Sequence, residues 1–281
     1  MKIGFVGLGL MGGSIASALK KEHDILAYDV RKDSLDYALE NHIIDRAFTD
    51  PKSLLAETDI LFICLYPRDC VSFVKKWNSY FKPDCLVIEI SGIKSGIIRD
   101  VSLYVNGQFD MVFTHPIAGK EKSGVEYADK TIFLDQNFVI VPVASNQEKN
   151  LLLVENLARQ MGFGNVVRID SQVHDEIIAY TSQLAHVLAL ALIDSDDNQV
   201  TTSRFIGDSF RDLTRIAMIN DDLWSELMIE NKTALLDKIE IMQNELSRYK
   251  QLIADGDYEG LRKAMKKSKA ARIAIEKDIK S

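Results

Sequence analysis

Short runs of hydrophobic residues alternate with helical patterns from the start of the chain to about residue 170. The runs have the length of buried strands and are rich in β-branched residues. They occupy residues 3–6, 25–28, 60–64, 85–88 and 111–113. Two later runs, residues 138–141 and 166–169, are candidates to extend the same sheet. Strand-like runs that alternate with helices are typical of βαβ units, so this half is predicted to be α/β with a parallel sheet.

The pattern changes at about residue 170. Strand-like runs stop there, and long helical patterns follow that are interrupted mainly at residues 203–208 and around Gly256. We therefore predict two domains, an α/β domain of residues 1–169 and an all-α domain of residues 170–281.

Residues 187–193 in the helical half are apolar on every face of their predicted helix. A helix of this kind is normally surrounded by other helices, and the mostly amphipathic helices of this half would enclose it poorly by themselves. The sequence therefore predicts a homodimer formed through the C-terminal helices.

Composition and charge narrow the functional classes. With 281 residues, of which 47% are hydrophobic, the chain can bury a sizeable core. Its 34 basic and 41 acidic side chains give a net charge of −7, which argues against broad binding to nucleic acid or to an anionic membrane. The apolar runs are too short for a signal peptide or for a membrane span, which needs about 20 residues. The three cysteines lack paired metal-ligand spacing. We therefore expect a cytoplasmic protein that has no metal site.

A glycine-rich turn directly follows the first predicted strand and opens a helical pattern. Residues 7–12 have the spacing of the dinucleotide-binding fingerprint. The first glycine permits the tight turn, the second lets the backbone approach a pyrophosphate, and the third lets the helix pack closely on the strand. The helix N-terminus adds partial positive charge. The residues predicted to contact the cofactor here are Gly7, Gly9, Leu10, Met11 and Gly12.

The second predicted strand leads to Asp29, at about the distance downstream where dinucleotide-binding proteins place an acidic residue. Its carboxylate can bind the adenosine ribose hydroxyls and would repel a 2′-phosphate, which favours NAD. Arg31 is a further predicted contact that could neutralise a 2′-phosphate, so NADP stays open. The alternative is a purely structural glycine turn beside an acidic strand end. We predict an N-terminal Rossmann-type dinucleotide-binding domain followed by an all-α C-terminal dimerisation domain.

Among the five histidines, His115 is the best candidate for a catalytic base. It follows the strand predicted at residues 111–113, in a segment rich in turn formers and charge. In an open parallel sheet, ligands bind beyond the carboxyl ends of the strands. An imidazole that titrates near neutrality can take a hydroxyl proton as hydride leaves. His23 and His42 lie in polar stretches typical of a surface. The alternative for His115 is a structural role in the turn before Pro116.

Four segments together resemble the prephenate and arogenate dehydrogenase family: residues 7–14, 115–124, 182–186 and 214–217. The resemblance covers nearly the whole chain. The segment that begins at His115 is its most specific part, because many dehydrogenases share the glycine turn. The resemblance implies an NAD(P)-binding domain joined to a helical dimerisation domain. It also implies oxidative decarboxylation of prephenate, or of its amino analogue arogenate, with His115 holding the substrate hydroxyl proton.

The same resemblance implies a set of substrate contacts. They are His186, Arg215, Glu121, Ser123 and Ser91. Arg215 would bind the ring carboxylate of the substrate, reaching across the dimer, because a guanidinium pairs bidentately with a carboxylate. Glu121 and Ser123 would line or gate the pocket.

The chain departs from the family pattern beside these contacts. His186 lies inside the apolar helix, where a polar side chain needs a partner. Near it the family has histidine and proline where this chain has Gln183 and Ala185. A serine of the family is replaced by Gly92, and Ser91 is the adjacent residue whose hydroxyl could take its place.

Two neighbours of these contacts have structural explanations. His174 has a family counterpart, but its position near a predicted helix N-terminus is at least as typical of a structural role. Arg211 lies four residues before Arg215, on the same side of a helix. We expect Arg211 to pair with Asp208 or Asp212.

Two other functions fit parts of the sequence. A β-hydroxyacid dehydrogenase has the same domain layout, but its catalytic lysine has no good counterpart in Lys232 or Lys238. A dinucleotide-responsive binding protein without turnover is the alternative outside the enzymes. Turnover of prephenate or arogenate would distinguish the main hypothesis from both.

Overall fold

The computed structural model describes residues 1–105, 107–120, 122–197 and 199–280. The chain forms two compact units, Met1–Lys232 and Thr233–Ser281. The first unit contains a sheet and most of the helices, and the second is helical. The predicted boundary at residue 169/170 falls within the first unit, between the last described strand and a helix that begins at Ser171.

The strands of the first unit form one sheet. They are β1 (Lys2–Val6), β2 (Asp24–Tyr28), β3 (Arg46–Phe48), β4 (Ile60–Ile63), β5 (Leu86–Glu89), β6 (Asp110–Ile117), β7 (Asn137–Val141) and β8 (Asn165–Arg168). Their order is β3-β2-β1-β4-β5-β6-β7-β8. The first six strands are parallel, β7 is antiparallel to β6, and β8 is parallel to β7. The predicted Rossmann-type domain is confirmed, but the sheet differs from a purely parallel one because its last two strands reverse direction.

Helices flank this sheet and build the rest of the chain. They are α1 (Leu10–Leu19), α2 (Lys32–Glu40), α3 (Pro51–Glu57), α4 (Pro67–Trp77), α5 (Ser95–Ser102), α6 (Glu148–Gln160), α7 (Ser171–Ile178), α8 (Leu184–Asp194), α9 (Gln199–Thr202), α10 (Asp208–Thr214), α11 (Asp221–Glu230), α12 (Lys232–Ala254) and α13 (Tyr258–Lys280). The helical character predicted after residue 170 is confirmed for the described residues. The predicted interruptions lie between α9 and α10 and between α12 and α13.

The central strands read as continuous apolar runs because both faces of the sheet are covered. Successive side chains of a strand point to opposite faces. Ile3 and Phe5 of β1 belong to one buried cluster, and Val6 belongs to the other. Phe5 stacks on Phe62 of β4, with 5.2 Å between the ring centroids. β3 escaped the sequence analysis because it is a three-residue edge strand in which only Phe48 is buried.

β6 extends four residues beyond the run that the sequence predicts. The apolar pattern ends at Phe113, but antiparallel pairing with β7 carries the strand on to Ile117 and pairs His115 with Val139. β5 stops opposite Phe113, so β6 projects past the carboxyl end of its neighbour. His115 therefore lies on a strand and not on the loop that the sequence predicts, although it still lies beyond the edge of the parallel sheet.

α7 and α8 form one helical stretch, Ser171–Asp194, joined by a π-helical turn at Ala179–Gln183. By length and composition alone, this stretch is apolar enough to cross a membrane. The expectation of no membrane span considered only the shorter run at residues 187–193. A helix in the core of a soluble protein can have the same length and composition. In the Ser171–Asp194 stretch only 28% of the most apolar window is buried. An apolar helix face left uncovered in one chain is typical of a subunit interface.

In the second unit, α12 and α13 are joined by a short turn at Gly256. This glycine has φ +64°, a left-handed conformation that glycine adopts without strain. Asp257 immediately precedes α13, and its side chain accepts a hydrogen bond from the backbone N–H of Gly260 at 2.9 Å. The two helices also approach through the hydroxyls of Tyr249 and Ser268, which lie 3.3 Å apart.

Candidate active site

The glycine turn between β1 and α1 leaves no room for side chains at its first and third glycines. Gly7 has φ +92°, and a Cβ there would lie 2.6 Å from the carbonyl oxygen of Cys64. A Cβ on Gly12 would collide with the carbonyl oxygen of Gly7. Gly9 differs, because a Cβ there would meet no atom within 4 Å. The absence of a side chain at Gly9 therefore leaves an open approach to the backbone at the N-terminus of α1.

The two predicted cofactor contacts that follow Gly9 form the first turn of α1. Leu10 is buried and Met11 is half-buried. The N-cap residue Gly9 has no side chain that could accept from the first backbone N–H groups of the helix. Backbone N–H groups at a helix N-terminus are the usual partners of a phosphate. The turn thus fits the pyrophosphate of a dinucleotide.

Asp29 is locked against this turn by two backbone hydrogen bonds. Its Oδ2 accepts from the N–H of Leu8 at 2.7 Å, and its Oδ1 accepts from the N–H of Arg31 at 2.8 Å. The Asp29 side chain is only 9% exposed, whereas that of Arg31 is 60% exposed, with its Nε 4.0 Å from Oδ1. A fixed carboxylate beside the glycine turn fits the ribose diol of NAD. The exposed guanidinium of Arg31 could pair with a 2′-phosphate, so NADP is not excluded as the cofactor.

Alanine at position 9 is expected to weaken NAD binding without destabilising the fold. Its methyl group would occupy the open approach to α1, so we expect the dissociation constant to rise by about 10-fold, the equivalent of ~1.4 kcal/mol. Isothermal titration with NAD measures this change, and thermal unfolding monitors the fold. Gly207→Ala is the matched control, because a Cβ there also meets no atom within 4 Å. Equal NAD affinities for the two variants would contradict the assignment of the turn.

His115 is linked to two groups at the start of α7. Its Nδ1 lies 3.0 Å from Nε2 of His174, and Nδ1 of His174 lies 2.8 Å from Oδ1 of Asp175. Asp175 also accepts from the backbone N–H groups of Lys94 at 2.9 Å and Ser95 at 2.8 Å. His174 and Asp175 are buried. Residues 59 positions apart in the chain thus meet in one hydrogen-bonded array at the start of α5 and α7.

The surroundings of His115 favour its neutral form. Burial lowers its pKa well below the usual 6.5, and the positive charges of His174, when protonated, and Lys94 add to the effect. The Asp175 carboxylate acts in the opposite direction, but the pKa stays low. The imidazole is therefore neutral at neutral pH, and one of its two ring nitrogens can accept a proton.

A completely buried ion pair joins the last residue of β5 to the loop that follows it. Nζ of Lys94 lies 2.5 Å from Oε2 of Glu89, and both side chains are almost wholly inaccessible. The hydroxyl of Ser91 donates to the carbonyl of Ile93 at 3.0 Å and lies 3.5 Å from Nζ of Lys94. This hydroxyl therefore points into its own loop. The substrate contact predicted for Ser91 gains no geometric support and stays a prediction.

His186 is oriented by a backbone carbonyl and an indole ring. Its Nδ1 donates to the carbonyl of Ser182 at 2.9 Å. Its ring lies against Trp224 of α11, with 3.6 Å between the ring centroids. Gln183, which stands where the family has histidine, is buried and donates to the carbonyl of Leu227 at 2.9 Å. The departure at position 183 is thus accommodated by a hydrogen bond within the core.

Residues of α11 lie close to both His115 and His186. A Cβ on Gly92 would lie 3.5 Å from Leu227 and 3.7 Å from Nε2 of His115, so Leu227 borders the space beside His115. Trp224, one turn earlier on α11, contacts His186. Positions three apart lie on one face of a helix. The same face of α11 therefore borders His115 and His186.

The other predicted substrate contacts lie on exposed segments. Arg215 is exposed and begins a short 3₁₀ turn, Arg215–Ala217, that packs against α8, the helix of His186. Arg211 pairs with Asp208 at 3.0 Å, as predicted. Ser123 is exposed. Glu121 lies outside the described residues, so its predicted role has no structural counterpart.

The pairing of His174 with His115 was not predicted from the sequence. A structural role at a helix start was the prediction for His174, but the N-cap of α7 is Asp170, which accepts from the N–H of Gln172 at 2.8 Å. Asn231 was missed as well; its side chain donates to the carbonyl of Asp175 at 2.9 Å. The adjacent His-Asp pair just before an apolar helix was the available signal, but nothing in its spacing identified the partner.

Comparison with known proteins gives matches over most of the chain. A family model described as prephenate dehydrogenase, nucleotide-binding domain matches residues 15–167, and the prephenate dehydrogenase dimerization domain matches residues 170–267. The cyclohexadienyl dehydrogenase of Zymomonas mobilis is 27% identical, over 98% of this chain and 96% of that protein. The prephenate dehydrogenase of Lactococcus lactis is 29% identical, over 98% of this chain and 77% of that protein.

A solved structure is similar over the same extent. Prephenate dehydrogenase from A. aeolicus, in complex with hydroxyphenyl propionate and NAD+, is 28% identical in sequence and superimposes with a TM-score of 0.89. The match covers 98% of both chains. Sequence and fold thus point to the same group of enzymes.

Proposed function

Because the chain belongs to the prephenate dehydrogenase family, we propose that it catalyses the NAD-dependent oxidative decarboxylation of prephenate to 4-hydroxyphenylpyruvate. Arogenate is the alternative substrate, with tyrosine as its product. The observation that carries the proposal is His115, a histidine kept neutral beyond the carboxyl end of the sheet, on the edge that also bears the glycine turn. The A. aeolicus relative was crystallised with a hydroxyphenyl acid and NAD+, which supports the same classes of ligand.

The glycine turn and Asp29 would hold the dinucleotide. The open approach at Gly9 and the backbone N–H groups of α1 suit its pyrophosphate. The fixed carboxylate of Asp29 suits the adenosine ribose and favours NAD over NADP. When bound, NAD supplies the acceptor for the hydride.

His115 would manage the proton of the substrate hydroxyl. Prephenate carries this hydroxyl on a ring carbon, and a carboxylate on the opposite ring carbon. As the hydride leaves, His115 accepts the hydroxyl proton and the C–O bond becomes a carbonyl. The bond to the ring carboxylate then breaks, and its electron pair makes the ring aromatic while CO₂ leaves. His115 returns the proton to the resulting phenolate oxygen, which balances the reaction.

Arg215 and His186 of the helical half are proposed to bind the substrate. Arg215 is proposed to pair with the ring carboxylate, because its planar guanidinium matches a carboxylate and because the protein as a whole is acidic. His186 is proposed to contact the substrate from α8, against which the Arg215–Ala217 turn packs. Ser123 and Glu121 remain proposed residues of the pocket rim.

We further propose a cytoplasmic homodimer whose chains divide into a dinucleotide-binding domain, residues 1–169, and a substrate and dimerisation domain, residues 170–281. The match of residues 170–267 to a dimerization domain supports the dimer. The uncovered apolar face of the Ser171–Asp194 stretch is a suitable part of its interface.

A steady-state comparison tests the reaction directly. The purified protein is incubated with prephenate or arogenate, each with NAD or NADP, and the reduced cofactor is followed by its absorbance. We expect the highest kcat/KM with prephenate and NAD, and a hydroxyphenyl product. A preference for arogenate would move the proposal to the alternative substrate. The absence of turnover with both substrates and both cofactors would refute the proposal and favour a binding protein.

A further inference from the structure

A buried histidine outside the proposed substrate contacts touches the proposed base. His174 is 2% exposed, and its Nε2 lies 3.0 Å from Nδ1 of His115. The two rings meet at an angle of 69°, edge to face. Since two nitrogens share this contact, one must carry the proton and the other must accept it.

Asp175 decides the direction of the hydrogen bond. Burial disfavours its carboxylate, but hydrogen bonds from His174 and from the backbone N–H groups of Ser95 and Lys94 outweigh burial and lower its pKa. Asp175 is therefore ionised and can only accept. Nδ1 of His174, 2.8 Å from Oδ1, must carry a proton and donate it to this hydrogen bond.

The proton positions then follow along the array. A neutral His174 with its proton on Nδ1 has a lone pair on Nε2. With His174 in this form, Nδ1 of His115 is the protonated nitrogen and donates to it. Since the pKa of His115 lies well below its usual value, its ring is neutral and its own Nε2 bears a lone pair. That nitrogen borders the space above Gly92, where an added Cβ would lie 3.7 Å away.

We propose that His174 and Asp175 are positioning residues that hold His115 in the tautomer whose Nε2 lone pair faces the substrate hydroxyl. The inference rests on the proposed function, in which His115 takes the hydroxyl proton. It follows the general rule that a catalytic base is oriented by a third group that fixes its tautomer. Here the orientation passes through two groups, and the negative charge of Asp175 also stabilises the cation that His115 becomes during turnover.

Hydrogen bonds from two other parts of the first unit hold Asp175 in place. Asp175 receives two backbone N–H groups at the start of α5, which follows β5. The carbonyl of the same residue accepts from the side chain of Asn231, which in turn donates to Oε1 of Gln183 at 2.8 Å. Buried groups with satisfied hydrogen bonds keep one geometry. The tautomer of His115 is thereby set before any ligand binds.

The tautomer can be measured in the free protein. In protein labelled with ¹⁵N-histidine, two-bond ¹H–¹⁵N correlation spectra distinguish a protonated Nδ1 from a protonated Nε2. The chain has five histidines, and the spectrum of His115→Asn assigns the His115 signals by their loss. We expect His115 and His174 to be protonated at Nδ1. A wild-type His115 protonated at Nε2 would overturn the inference without reference to any variant and independently of turnover.

Two variants of His174 separate positioning from packing. His174→Phe keeps a ring but removes the acceptor, whereas His174→Gln keeps an acceptor oxygen on a side chain of similar reach. For the phenylalanine variant we expect a mixed His115 tautomer and a kcat lowered by about 10-fold or more, with NAD affinity unchanged. Glutamine should restore part of both. If a folded His174→Phe protein keeps the wild-type tautomer and kcat, the positioning role is wrong.

Discussion

Substitution of His115 by asparagine is expected to lower kcat by about 10²-fold or more and to leave the dissociation constant of NAD nearly unchanged. General base catalysis contributes roughly this factor, and an amide cannot accept the hydroxyl proton. Asparagine keeps a side-chain N–H that can donate to His174, so the array at the start of α7 should persist. Steady-state kinetics with prephenate and NAD measure the loss, and isothermal titration measures NAD binding.

His42→Asn is the control for this substitution. His42 has φ +55°, a conformation that asparagine tolerates well, and it lies on the surface between α2 and β3. The same chemical change there should alter neither kcat nor stability. If His115→Asn retained a kcat near that of the control, His115 would be only a structural residue of β6.

Loss of the guanidinium at Arg215 is the second large effect. Arg215→Met should raise KM for prephenate by about 10- to 100-fold, since hydrogen bonds to charged groups contribute ~1.5–3 kcal/mol. The change in kcat should be smaller, because the ring carboxylate is bound in the ground state before it leaves. Initial rates over a range of prephenate concentrations, at saturating NAD, separate the two parameters.

Arg211→Met provides a matched comparison for Arg215. Both arginines are exposed and lie one turn apart, but Arg211 pairs with Asp208 on its own helix at 3.0 Å. An exposed ion pair contributes little, so its loss should change KM less than about 2-fold. Equal effects of the two substitutions would indicate a general loss of positive charge and would contradict a specific carboxylate contact at Arg215.

The α/β half of the fold was readable from the sequence because its signals are local. Apolar runs such as residues 60–63 identify strands buried on both faces, and residues 7–12 identify the turn that follows the first strand. Local signals failed where a strand depended on a distant partner. β6 continues to Ile117 because it pairs with β7. The apolar pattern of β7 does not indicate whether this strand is parallel or antiparallel to β6.

The candidate site shows the same division. Asp29 and the glycine turn could be assigned together, because the spacing of a strand, turn and helix determines where they meet. The surroundings of Ser91 and His174 could not be assigned. The hydroxyl of Ser91 donates a hydrogen bond to the carbonyl of Ile93, and the partner of His174 is His115, 59 residues away on β6. Neither contact has a periodicity that a sequence pattern could reveal.

The sequence by itself determined the alternation of strands and helices in the first half of the chain, the glycine turn after β1, and His115 as the candidate base, because each depends on residue types at short separations. Only the tertiary structure decided what surrounds that base. Packing of α7 on α5 brings His174 and Asp175 to His115, and Leu227 of α11 borders the space beside Gly92 and His115. Burial then lowers the pKa of the imidazole. Solvation and hydrogen bonding of a side chain depend on atoms that are distant in the chain, so they arise only when the chain has folded.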